Sequence, residues 1–238
     1  MKLTILGNNG PYPSAGGACS GYLIEHEDTK ILLDCGNGVM SNLLKVCDVE
    51  DLDAVILSHL HPDHISDLFV LRYTLSERDK KIPVYAPNNP KDEYERLHYK
   101  KAYDVHPIEE HLQFNIGPLS IRFCELQHVL QNYGICIEVE GKKFVYTGDM
   151  QYDEKIVDFA KDAHVLLIES GVLERDLQSN PPHLSAKQAC KIGVKTSAKK
   201  LLLTHFHPKY RVDEFIIETI NQYDGLLVMT QLMQTYKI

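Results

Sequence analysis

Within residues 58–64 the chain places three imidazoles and a carboxylate, in the order Ser58-His59-Leu60-His61-Pro62-Asp63-His64. The run follows Ala54-Val55-Ile56-Leu57, an apolar stretch with polar bounds that predicts a buried strand, and precedes Ile65, Leu68, Phe69, Leu71 and Leu75 at helical spacing. Strand, histidine-rich loop and helix therefore follow one another. A loop in that place turns alternate side chains, His59 and His61, toward one point, while the helix brings Asp63 and His64 in from another direction. Two adjacent metal ions suit such geometry better than one, because a single zinc takes about four N, S or O ligands and a catalytic site leaves one position to water. The plain alternative is a solvated loop, but clustered ligand-type residues more often bind metal.

Three more ligand-type residues follow strand-like runs. His128 lies beyond the strand ending at Cys124, Asp149 follows Phe144-Val145-Tyr146-Thr147-Gly148, and His205 follows Leu201-Leu202-Leu203-Thr204. Each alone reads as an ordinary surface residue or turn. Together they put ligand types at successive strand ends, where the sites of sheet proteins collect.

The rest of the chain supplies a scaffold. Strands are expected at Lys2 to Leu6, Tyr22 to His26 and Lys30 to Asp34 as an antiparallel meander, and then at Pro83 to Ala86, Leu119 to Cys124, Gly134 to Glu140 and Lys143 to Thr147. Helices are expected at Val39 to Val46 and Asp92 to Lys101. The second half alternates: helix Glu154 to Lys161, strand Val165 to Glu169, helix Ala186 to Val194, strand Leu201 to Thr204, helix Asp213 to Tyr223, strand Leu226 to Met229. The fold class this predicts is α/β, with two sheets face to face and helices outside them, a four-layer αββα sandwich. No repeat or linker-like tract divides residues 1–238, so one domain is expected.

Composition closes several other routes. Apolar residues are 44% and charged residues 24% of the 238, enough for an ordinary core. The net charge of −8 repels polyanions overall, so a nucleic-acid role needs a local basic patch. Cysteines 19, 35, 47, 124, 136 and 190 have no C-x-x-C spacing, which argues for reduced, buried thiols over a zinc ribbon or redox pair. No apolar run approaches the ~18–20 residues that span a bilayer, and the opening Met1 to Gly7 is too short for a signal segment, so a cytoplasmic protein is expected.

Ser-His-Leu-His-Pro-Asp-His, with His128, Tyr146-Thr147-Gly148-Asp149 and Leu203-Thr204-His205, resembles the metal signature of the metallo-β-lactamase-fold hydrolases over nearly the whole chain. Leu32-Leu33-Asp34-Cys35-Gly36 and the segment from Pro182-His183-Leu184-Ser185 to His205-Phe206 are most similar to the ribonuclease Z and small phosphodiesterase branch. The resemblance implies that His59, His61 and His128 hold one metal, that Asp63, His64 and His205 hold another, and that Asp149 bridges them. True β-lactamases carry a cysteine where this chain has Asp149, so drug hydrolysis is not expected. The cofactors implied are two divalent ions, zinc first, with manganese or iron as alternatives. Asp63 would orient the attacking water. His183, just before a Ser185/Gln188 capping box and 22 residues before His205, would be the general acid, in the context a histidine occupies in ribonuclease Z-like proteins. An exposed residue ahead of a helix is its plain alternative.

Ribonuclease Z carries a long tRNA-binding arm between the elements matching His128 and Asp149, where this chain has about twenty residues. The expected activity is thus hydrolysis of a small cyclic or short phosphodiester, or of a short nucleic-acid end. Lactone or thioester hydrolysis on the same metals, a ribonuclease Z-like endonuclease, and a binding module with structural metals are the alternatives. A homodimer is compatible with the resemblance, and no membrane partner is expected. His207 and Lys209-Tyr210-Arg211 line either a phosphate path or a solvated loop, and Asn8 to Gly17, with no helix after it, is not a phosphate-cradling P-loop.

Overall fold

The computed structural model describes residues 1–179 and 181–238. Strands β1 (Lys2–Gly7), β2 (Gly21–His26) and β3 (Thr29–Leu33) form the expected antiparallel meander. The chain continues through α1 (Val39–Leu43), β4 (Ala54–Ile56), α2 (Pro62–Ile65), α3 (Leu68–Glu77), β5 (Ile82–Ala86), α4 (Lys91–Leu97) and β6 (Tyr103–Pro107). Strands β3 to β6 are parallel neighbours, and β1 to β6 belong to one seven-stranded sheet. A second seven-stranded sheet starts with the antiparallel β7 (Gln113–Ile116), β8 (Leu119–Leu126), β9 (Asn132–Val139) and β10 (Lys142–Tyr146). It goes on through α5 (Lys155–Phe159), β11 (Val165–Glu169), α6 (Ala186–Thr196), β12 (Lys200–Thr204), α7 (Val212–Thr219) and β13 (Leu226–Met229), with β10 to β13 parallel. Last, β14 (Thr235–Lys237) returns to pair with β1 at the edge of the first sheet.

Alternation along the strands sorts residues into three apolar layers. Tyr22, Ile24, Ile31, Leu33 and Ile56 of the first sheet meet Ile135, Ile137, Phe144, Tyr146, Leu167 and Leu202 of the second in the central layer. Their neighbours Leu23, Leu32 and Val55 face outward onto Val39, Leu43, Leu68, Leu71 and Leu75 of α1 and α3. On the opposite side Val145, Leu166, Ile168, Leu201 and Leu203 meet Ile156, Ala189, Ile192 and Phe215 of α5, α6 and α7. Strands buried on both faces read as unbroken apolar runs, which is why these strands were visible in the sequence. The architecture is the αββα sandwich, and among the described residues no helix is long and apolar enough to cross a membrane.

Three strands lie outside the sequence reading: β6, β7 and β14. All are sheet edges with polar residues at alternate positions, such as Asp104 and His106, Gln113 and Asn115, and Thr235 and Lys237. Polar edges resist pairing with other chains and blur the apolar pattern that marks a strand. The helix after the histidine loop is also broken, at Ser66-Asp67. The Asp67 carboxylate there accepts the Met40 N–H at 2.9 Å, and its own N–H donates to the Cys35 carbonyl. Helices α1 and α4 stop short of their expected ends at Val46 and Lys101. Between His128 and Asp149 the chain forms only β9, β10 and the turn Glu140-Gly141, both turn residues with positive φ, as a two-residue hairpin requires.

Candidate metal centre

Strands β3 and β4 run together in the first sheet. In the second, β8 and β10 share a direction because both are antiparallel to β9, and β11 and β12 follow β10. The carboxyl end of each strand carries a polar residue into one region: Asp34 after β3, His59 to His64 after β4, His128 after β8, Asp149 after β10, Glu169 at the end of β11 and His205 after β12. Ligand sites in such sheets form at this end of the strands.

The seven residues singled out as ligands converge. His59 Nε2 lies 2.9 Å from His61 Nδ1, His128 Nε2 lies 3.2 Å from that same His61 nitrogen, and Asp149 Oδ2 is 3.7 Å from His59 Nε2. Beside them, His205 Nε2 lies 3.2 Å from both Asp63 Oδ2 and Asp149 Oδ2, and His64 Nε2 lies 3.4 Å from Asp149 Oδ1. Two sets of donor atoms result, His59, His61, His128, Asp149 and Asp63, His64, Asp149, His205, each lying within 4.8 Å of one another, with Asp149 in both. These spacings straddle the separation of about 3.3 Å between two ligand atoms held about 2.0–2.1 Å from one tetrahedral ion. His64 Nε2 and Asp149 Oδ1 are buried without a hydrogen-bond partner, an expensive state for polar atoms that ligation of a cation relieves.

Electrostatics agrees with a cation here. Burial holds His59 well below the usual imidazole range, brings His61 down to about 4 and lowers His128, so these three imidazoles are neutral and offer lone pairs. Burial opposes the charged forms of Asp149 and Asp63, but the imidazoles of His205 and His64 outweigh it and both carboxyls are held low. His64 goes the other way: burial opposes its charge, yet Asp149, Asp63 and Asp34 around it push it well up. That upward push measures a local excess of negative charge, which divalent ions would satisfy in place of a proton.

Asp34 supports both sets. Its Oδ2 accepts the His64 Nδ1 proton at 2.8 Å, the Ser58 hydroxyl at 2.8 Å and the Tyr146 hydroxyl at 2.7 Å, and its Oδ1 accepts the Ser58 N–H at 2.7 Å. Ser58 Oγ lies in turn 3.1 Å from His59 Nδ1. One buried carboxylate thus sets the tautomers of His64 and His59, directly and through Ser58, turning each Nε2 toward the centre. Asp34→Asn is expected to lower metal affinity by about 10–100-fold while the protein stays folded, as measured by competition with a chromophoric chelator. Unchanged affinity would show that Asp34 serves stability alone. The sequence marks Asp34 only as a strand end and as part of a resemblance, not as a group that orients the ligands. The signal was present, since Asp34 follows Ile31-Leu32-Leu33 as Asp149 follows its own strand.

Two backbone features let the residues meet. Gly10 packs on His205, and a Cβ there would lie 1.9 Å from His205 Nε2, so any side chain at position 10 would displace the imidazole. Asp34 and His205 themselves have φ of 55° and 61°, in the left-handed region that ordinary side chains avoid at a cost of order 1 kcal/mol, strain that collects at functional sites.

His183 stands just before the Ser185/Gln188 capping box that opens α6, as the sequence suggests, and lines the cavity over the centre. Its Nδ1 lies 3.1 Å from Glu169 Oε1 and 3.8 Å from Asp149 Oδ2. Burial opposes the imidazolium, but Glu169 overcomes it and raises His183 to about 9. Glu169, expected from the sequence only as the end of a strand, is itself fixed by the N–H groups of Met150 at 3.0 Å and Gly171 at 2.9 Å. A cavity of about 260 Å³ lies over the centre, lined by Pro11, His61, Pro62, Asp63, Asp149 and His183. His207 stacks edge-on with Tyr12 instead, and His26, His98, His106, His111 and His164 join no donor set among the described residues. All six cysteines are free thiols, five of them buried.

Comparison with known proteins agrees with this fold. Residues 29–206 match the model of the beta-lactamase superfamily domain. The chain is 32% identical over 211 residues to the probable metallo-hydrolase YhfI of Bacillus subtilis (strain 168), covering 86% of each chain. The crystal structure of YhfI superposes with a TM-score of 0.93 at 29% identity over 99% of this chain and 98% of that one. Ribonuclease Z of Archaeoglobus fulgidus is 24% identical over 275 residues, 90% of this chain and 89% of its own. A structure described as a new diphosphatase from the PhnP family superposes with a TM-score of 0.76 at 15% identity, over 100% of this chain and 97% of that one, a likeness of fold. With the family model spanning most of its length and these ligand types at its strand ends, the chain belongs to the beta-lactamase superfamily, as a metallo-β-lactamase-fold hydrolase related to ribonuclease Z.

Proposed function

We propose that the chain is a dinuclear metal-dependent phosphodiesterase acting on small cyclic or short phosphodiesters. The observation that carries this reading is the pairing of two donor sets through Asp149 with a further imidazole, His183, held by Glu169 and grouped with it beside His205. His59, His61 and His128 would hold one ion, Asp63, His64 and His205 the other, with Asp149 shared and zinc the first choice over manganese or iron. Two divalent ions in such a place neutralise a phosphodiester's charge and make water a usable nucleophile near neutral pH.

The chain's own groups supply the rest. Asp63, its Oδ2 3.2 Å from His205, orients the attacking water by accepting its hydrogen bond. An alkoxide leaves only with a proton, and His183 carries one: its Nδ1–H is committed to Glu169, which leaves Nε2–H for the departing oxygen. Such an acid is superfluous for a thioester or an activated lactone, so its presence favours the phosphodiester. The names ribonuclease and diphosphatase among the relatives favour phosphorus–oxygen bonds as well. The short β9–β10 hairpin offers no protruding arm for a folded RNA, which favours a small substrate over a ribonuclease Z-like one. The 260 Å³ cavity admits a compact reacting group.

The test is a substrate panel on protein loaded with zinc or manganese. Bis-p-nitrophenyl phosphate is expected to turn over faster than a lactone or a glutathione thioester, with two metals bound per chain. Ester hydrolysis without phosphodiester hydrolysis would replace this reading with the lactone or thioester one. Less than one metal per chain and no turnover would support a binding module instead.

A further inference from the structure

A second, larger cavity of about 560 Å³ has His128, a residue of the first donor set, in its wall. Its walls come from the β5–α4 loop (Asn89), the end of β8 and the β8–β9 loop (Glu125, Gln127, His128, Gln131), and the segment after Asp149 (Asp153). The loop that carries the metal-centre histidine thus also builds the groove, so a molecule seated there abuts the reacting centre.

The lining has a consistent chemistry. Beside the apolar Leu126, Val129 and Leu130, its polar part holds three amides and two carboxylates with a single lysine, Lys155, whose Nζ lies 3.8 Å from Glu110. Asp153 is fixed in place by accepting the N–H groups of Gln127 at 3.3 Å and Lys155 at 2.9 Å. The Gln131 amide meets the Tyr133 hydroxyl at 3.0 Å. Glu125, by contrast, takes part in no ion pair among the described residues. Carboxylates and amides of this kind receive hydrogen bonds from hydroxyl and amine groups, and they repel a second anion.

We propose that this groove seats the organic group esterified to the attacked phosphorus, and that it selects an uncharged, hydroxyl-bearing group of the sugar or nucleoside type. The substrate then carries its only negative charge at the bond that is cleaved, and Glu125 is the residue that rejects a further phosphate. This rests on the phosphodiesterase reading and narrows it: diesters of neutral polyols or nucleosides are substrates, whereas oligonucleotides and polyphosphorylated molecules are poor ones.

The experiment uses the metal-loaded full chain and a matched pair: thymidine 5′-(p-nitrophenyl phosphate) and the same ester with a 3′-phosphate. The first is expected to have a kcat/KM about tenfold higher, and Glu125→Lys is expected to reduce or reverse that ratio. Glu125→Gln should fall between the two. Equal kcat/KM for the pair in the unaltered protein, or a ratio that Glu125→Lys leaves in place, overturns the groove assignment while leaving the phosphodiesterase reading intact. Loss of turnover on both nucleotide esters and on bis-p-nitrophenyl phosphate overturns both.

Discussion

Asp149→Ala is expected to reduce the bound metal from two ions to one or none and to lower kcat/KM by at least about 10³-fold, since metal stabilisation of a transition state is worth several kcal/mol at 1.36 kcal/mol per tenfold. Asp149 is buried, and its two oxygens face His59, His64 and His205 at 3.2 to 3.7 Å. Removing it takes a ligand from both donor sets and leaves the imidazoles of His59 and His64 without the carboxylate between them. The central layer of Phe144, Tyr146 and Leu167 is untouched, so the variant is expected to fold. Metal analysis of the purified variant beside its circular dichroism spectrum checks this. Two tightly bound ions with native turnover would exclude a bridging Asp149.

His183→Ala is expected to act through the leaving group. For an alkyl leaving group the loss should be about 10²–10⁴-fold in kcat, and for p-nitrophenolate, which departs unaided, less than about tenfold. A plot of log kcat/KM against leaving-group pKa should therefore be steeper in the variant, with metal content unchanged. Equal losses along the series would make His183 a structural residue. Its titration has a definite sign. Glu169 raises His183 to about 9 in the metal-free protein, so the proton is held below that pH and lost above it. Two cations beside Asp149, itself 3.8 Å from His183 Nδ1, would pull this value down, so activity should fall on an alkaline limb centred below 9. Glu169→Gln removes the opposing charge and should move that limb to lower pH still.

Some of this was legible in the chain before any folding. The runs at 54–57, 165–169 and 201–204 are apolar at every position or nearly so because their strands are buried on both faces, and that alone calls for two covering layers. Polar ligand types immediately after such runs mark strand ends. The edge strands β6, β7 and β14 escaped because half their side chains meet water and carry no apolar signal.

By itself the sequence determined which side chains could bind cations and that they stand at strand ends, because donor chemistry belongs to the residue and strand periodicity is local. The tertiary structure alone decided their partners: that Asp149 faces two donor sets, that Asp34 orients His64 and His59 from 30 and 25 positions away, and that Glu169 holds His183. Those contacts depend on sheet order and strand register, which arise only when the two sheets close on their common layer and bring distant strand ends within a few ångströms.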